Sequence, residues 1–109
     1  MPHMQNQACI EACAHCATEC EHCATACLRE ADVQARVKCI ELLRDCADIC
    51  FQAAAYMSRG SNYAKKLCDL CAEICDACAT ECARFKDEHC QLCASECRRC
   101  AEECRKMAG

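Results

Sequence analysis

The chain has 109 residues, which fits one compact domain, and a net charge of −4 with acids and bases interspersed. That balance excludes the basic stripe of a nucleic-acid-binding surface, and 2 glycines with 1 proline exclude collagen-like or linker composition. Cysteine dominates instead, with 19 copies, while large aliphatic and aromatic side chains are too few for a conventional core in a domain this small.

The cysteines fall into four groups with internal spacings of 3, 4 or 7 residues, the seam of a bundle helix. The first group, Cys9, Cys13, Cys16, Cys20, Cys23 and Cys27, predicts a helix over 4–28. Cys39, Cys46 and Cys50 mark a second over 33–57, with Asp32 as its cap. Its seam continues through Arg36, Leu43, Ala53 and Met57, and Val33, Val37, Ile40, Leu42 and Ile49 add apolar packing. This helix reads as the wall that holds the bundle together without metal. "SRGS" breaks the chain at 58–61, where Gly60 suits a left-handed position. Cys68, Cys71, Cys75, Cys78 and Cys82 mark a third helix over 62–84, capped by Ser61. Cys90, Cys93, Cys97, Cys100 and Cys104 mark a fourth over 87–107, capped by Asp87. "CATEC" at Cys16 and at Cys78, and "CASEC" at Cys93, make helices one, three and four variants of one pattern. Short connections make successive helices antiparallel, so the expectation is an all-α, up-down-up-down four-helix bundle with a cysteine-lined core, one domain over 1–109.

The N-terminal "MPHMQNQACIEAC" has neither a basic n-region nor an apolar h-region, and no stretch reads as a membrane span. A cytosolic protein with no membrane partner is expected. Cytosolic thiols stay reduced, so this density of cysteine points to metal rather than disulfides, and an odd count leaves one cysteine over in any complete pairing. Thiols at i and i+3 or i+4 share a helix face about 5–6 Å apart, close enough to clasp one ion. As mere core filler they would lose to leucine or isoleucine. A zinc ion held by four thiolates keeps two negative charges, and several such units in a dry core are costly. Soft Cu(I) takes one thiolate per ion at neutral charge and shares bridging sulfurs. A general thiolate buffer for zinc or cadmium, or a thiol redox protein, remains the alternative.

The alternating CxxC and CxxxC pattern over four helices, with "HC" at His89 and Cys90 opening the last, resembles the copper storage proteins from Cys9 to Cys104. The lack of an export signal is similar to their cytosolic branch. The resemblance implies a bundle filled with Cu(I)–thiolate sites, every seam cysteine a ligand, assembled as a homotetramer, with copper stored or sequestered and no catalysis required. It also implies that His89 stands at the copper entrance. The other end would gather Met4, Tyr56, Met57, Tyr63, Leu67 and Met107, as an apolar plug or a thioether collar. His15 and His22 fall on the outer face of the first helix, a solvated pair in preference to a metal pair, and His3 lies near the terminus. Phe51, Leu70 and Leu92 also point outward and are candidates for a subunit interface, whereas Arg98, Arg99, Glu102 and Glu103 read as a solvated face.

Overall fold

A computed structural model describes residues 6–109. Helices α1 (Gln7–Leu28), α2 (Val37–Ser58), α3 (Ala64–Cys82) and α4 (Glu88–Ala108) form an antiparallel four-helix bundle. Each packs on two neighbours, α1 on α2 and α4, and α3 on the same two. The rod measures 47 × 19 × 18 Å, slender because its core is made of short side chains. Ala17 and Ala24 on α1, Ala72 and Ala79 on α3, and Ala94 and Ala101 on α4 are buried beside the cysteine seam, each pair seven residues apart. Alanine has no bulk to hold helices apart, so the thiols of all four helices meet on the axis.

Helix α2 supplies the conventional part of the core. Leu43, Ala53 and Met57 are completely buried on the same face as Cys39, Cys46 and Cys50. Ile49 is buried and Ile40 and Leu42 are half-buried, but Val37 is exposed. Val37 opens α2 on the outward face it shares with Glu41, Arg44 and Asp48, away from the cysteine seam. Val33–Arg36 is a 3-10 turn where the sequence predicts the first turn of the helix, yet Arg36 keeps its seam position and is buried.

Helix ends follow local chemistry, but the expected side-chain caps do not form. Gly60 takes φ 68° in the α2–α3 turn, a conformation that an L side chain resists. Ser61, expected as the cap of α3, only accepts from the Tyr63 amide at 3.1 Å in the turn before it; Tyr63 holds the cap position, with no side-chain cap. Asp32 and Asp87 stand at cap positions of the 3-10 turn and of α4, yet neither side chain caps a backbone amide. Both carboxylates are drawn instead to Arg36, which accounts for the architecture at that end of the rod.

Candidate metal centre

Every cysteine is buried, and only Cys9 shows measurable exposure, at 3%. All are free thiols. Their sulfurs form a continuous path. Cys93 lies 3.6 Å from Cys20, Cys20 3.7 Å from Cys97, Cys97 3.7 Å from Cys16, and Cys16 3.9 Å from Cys46. From there Cys46 meets Cys75 at 3.6 Å, Cys75 meets Cys50 at 3.6 Å, and Cys50 meets Cys100 at 3.8 Å. Cys100 and Cys104 both lie 3.6 Å from Cys13, and Cys9 closes the path 3.7 Å from Cys104. These are van der Waals separations, far beyond the ~2.05 Å of a disulfide. Cys50 and Cys100 sit on diagonal helices, so the thiols bridge the full width of the bundle.

The sulfurs gather into tetrads. Cys16, Cys20, Cys46 and Cys97 form one; Cys16, Cys46, Cys50 and Cys75 another; Cys50, Cys71, Cys75 and Cys100 a third; and Cys13, Cys71, Cys100 and Cys104 a fourth, each with ligand atoms within 4.8 Å of one another. Shared members make this a lattice of overlapping sites. Cys39 and Cys82 stand 3.5 Å apart, with Cys78 3.9 Å from Cys82. Cys68 is buried on the α3 seam near Cys9 and Cys104.

At the end where α1 and α3 finish, Cys23, Cys27, His89 and Cys90 form a mixed tetrad. His89 Nδ1 lies 3.3 Å from Cys23 Sγ and 3.5 Å from Cys90 Sγ. Its Nε2 donates to Glu30 at 3.1 Å, which leaves the Nδ1 lone pair facing the sulfurs. The side chain is 16% exposed, so it touches both solvent and core. Next to it Arg36 is buried across the mouth. Its Nε donates to Asp32 at 2.7 Å and its Nη2 to Asp87 at 2.6 Å. Its Nη1 points at Cys27 and Cys90, 3.7 and 3.5 Å away, and Phe85 lies 4.6 Å beneath the guanidinium.

Burial pushes the Cys90 thiol up to about 12, and the neighbouring Cys27 sulfur adds to it. At the opposite end Cys68 also reaches about 12: Cys104 pulls it down, but Cys9 and burial outweigh that. Arg36 holds Asp87 below the ordinary carboxylate range. The Arg36 guanidinium is stabilised in turn, since its bonds to Asp32 and Asp87 overcome the cost of burial.

A lattice of sulfurs at contact distance down a narrow bundle, opening on one histidine, limits the possible relatives. The sequence matches the family model described as copper storage protein over residues 2–109. The chain belongs to the copper storage protein family. Among solved structures it is 48% identical to apo copper storage protein 3 from Bacillus subtilis, covering 94% of this chain and 98% of that one, with a TM-score of 0.87. A Cu(I)-bound structure of the Bacillus protein gives 51% identity over 94% of this chain and 97% of that one, at a TM-score of 0.89. A cytosolic copper storage protein from Streptomyces lividans, in a structure of copper loading with five coppers, is 41% identical over 94% of this chain and 91% of that one, at a TM-score of 0.91. No curated protein matches significantly.

The exposed side chains are arranged as the helix wheel requires. His15 and His22 are on the surface, as are Arg98, Arg99 and Glu102, while Glu103 is half-buried. Phe51, Leu70 and Leu92 are exposed at 50%, 46% and 53%. Of the other end's residues, Met57 is fully buried, Tyr56, Leu67 and Met107 are half-buried and Tyr63 is exposed; Met4 and His3 lie outside the described residues. Sequence reasoning missed the partners of the mouth. The antiparallel order of the helices gathers Cys27, Arg36, Cys39, Cys82, Phe85, Asp87, His89 and Cys90 at one end, but it gives Glu30 no role and does not pair Arg36 with Asp87, 51 residues away. Glu81 is also unexpectedly buried, held by Arg84 at 2.8 Å. Asp87 preceding the "HC" pair was a local signal of something at that helix start, but not of its partner.

Proposed function

We propose that the chain performs its family's function, copper storage, by filling the core lattice with Cu(I) through Cys9, Cys13, Cys16, Cys20, Cys23, Cys27, Cys39, Cys46, Cys50, Cys68, Cys71, Cys75, Cys78, Cys82, Cys90, Cys93, Cys97, Cys100 and Cys104. The observation that carries this reading is the unbroken sulfur path from Cys93 to Cys9, in which one thiol belongs to several tetrads. Bridging sulfurs suit a soft monovalent ion, because one thiolate per Cu(I) leaves no net charge in a dry core. Each ion displaces a thiol proton, which leaves with solvent at the mouth.

His89 and Cys23 are the first donors an incoming ion meets, and His89 Nδ1 passes it to Cys90 and Cys27. Transfer then proceeds by exchange between sulfurs at contact distance, so an ion gains its next ligand before it loses the last. No bond is made or broken in an organic substrate, and the activity needs no catalysis. We place the protein in the cytosol, in keeping with its likeness to the Streptomyces protein. We also assign it a homotetrameric assembly, in which the exposed Phe51, Leu70 and Leu92 are covered by other subunits.

Anaerobic titration of the fully reduced, copper-free protein with Cu(I), with thiols counted in parallel, tests the reading. The expected capacity is on the order of one Cu(I) per cysteine. Saturation after only a few ions would overturn it in favour of separate tetrahedral sites.

A further inference from the structure

We propose that Cys23, Cys27, His89 and Cys90 at the mouth bind one Zn(II) ion, which occupies the entrance that Cu(I) must use. The ion site stands on geometry alone, while its role as a gate rests on the storage reading above. Three features support this, and the last two separate the tetrad from the all-cysteine ones, whose sulfurs are spaced alike.

The first is shape. Zinc at its usual bond lengths of about 2.3 Å to sulfur and about 2.0–2.1 Å to nitrogen gives a tetrahedron with edges of roughly 3.8 Å between sulfurs and roughly 3.6 Å from sulfur to nitrogen. Here Cys23 to Cys90 and Cys27 to Cys90 are both 3.8 Å, and His89 Nδ1 is 3.3 and 3.5 Å from Cys23 and Cys90. The second is the orienting acid. Glu30 on His89 Nε2 makes a carboxylate–histidine pair of the kind that fixes a zinc-binding imidazole by its outer nitrogen.

The third is charge. Zinc in any of the four-cysteine tetrads leaves two negative charges deep in the bundle. Three thiolates and a neutral imidazole leave one, and Arg36 Nη1 sets a positive charge against Cys27 and Cys90. Asp32 holds the far edge of that guanidinium at 53% exposure, where water screens it, and Asp87 lies 3.9 Å from His89 on the Nε2 side, away from the ligating Nδ1. The mouth therefore accepts a divalent ion that the interior rejects.

The reduced, copper-free chain titrated anaerobically with Co(II), a spectroscopic stand-in for Zn(II), tests this. The first equivalent should give the strong ligand-field and thiolate charge-transfer bands of tetrahedral cobalt and saturate near one ion per chain. X-ray absorption should show sulfur and nitrogen together, and Zn(II) should erase the bands. His89→Ala and Cys90→Ser should weaken that equivalent, and Glu30→Gln should weaken it by about 10–100-fold by releasing the imidazole. Several equivalents filling together, a first site of sulfur only, or no tight equivalent would overturn the site. Zinc-loaded protein should take its first Cu(I) more slowly than zinc-free protein, and equal rates would remove the gate. Full Cu(I) capacity with no Co(II) site would sink this proposal and leave storage standing; a Co(II) site with a capacity of few Cu(I) ions would do the reverse.

Discussion

The two ends of the rod are built from opposite chemistry around the same ladder. Thiols come close to both, Cys27 and Cys90 at one and Cys9 and Cys68 at the other. Arg36, at the N-cap of α2, and Met57, near its C-terminus, occupy the two ends of one seam, and both are buried. Arg36 closes its end with hydrogen bonds to Asp32 and Asp87, which can be exchanged for water without leaving a hole. Met57 closes the other by filling space, with Tyr56, Leu67 and Met107 packed around the core there. A polar latch can open locally at small cost; an apolar plug opens only by exposing the core. Thiols alone thus do not make a door. The groups that cap them do.

The largest expected effect comes from breaking the plug. Met57→Ala removes a fully buried side chain and should lower the stability of copper-free protein by about 2–5 kcal/mol in denaturant unfolding. A loss well below that range would show that the end is already loose and would erase the contrast. Next in size is the response to pH, which both ends share. Cys90 and Cys68 are raised to about 12 from an ordinary 9.0, so the folded chain keeps protons that the unfolded chain gives up. The unfolded state binds fewer protons in that window, and stability must fall as pH rises from 9.0 toward about 12, being fully present below it. Thermal unfolding of reduced protein across that range should show the fall. Copper-loaded protein, whose thiols have no proton to lose, should not follow it.

The smaller effects are kinetic and confined to the mouth. His89→Ala should slow the uptake of the first Cu(I) in stopped-flow mixing while leaving total capacity almost unchanged, and equal rates would take His89 out of the entry path. Asp87→Asn takes the charge from one side of Arg36, and first uptake should become severalfold faster with little change in unfolding. If it instead destabilises the chain as much as Met57→Ala, the latch is a structural support and the two ends are alike.

The four helices, their antiparallel order and the inward face of each were legible because a spacing of 3 and 4 residues has only one geometric meaning at this length. Cys16, Cys20, Cys23 and Cys27 could be placed inside, and His15 and His22 outside, from the wheel alone. The error at Val37 comes from reading residue type over position, since the same wheel sets it outward with Glu41, Arg44 and Asp48. The small size of the recurring alanines is what brings the sulfurs to 3.5–3.9 Å.

The sequence by itself determined the bundle, its thiol-lined core and the preference for a soft ion, because these follow from residue type and local spacing. The tertiary structure decided which sulfurs meet across helices and how the mouth is assembled. Glu30, Asp32, Arg36, Asp87 and His89 come from two loops and two helix starts, and their pairings depend on how the chain ends of four helices are brought level. That alignment is set by packing along the whole rod. No local pattern encodes it, because a charged side chain finds its partner by proximity in space and not by distance along the chain.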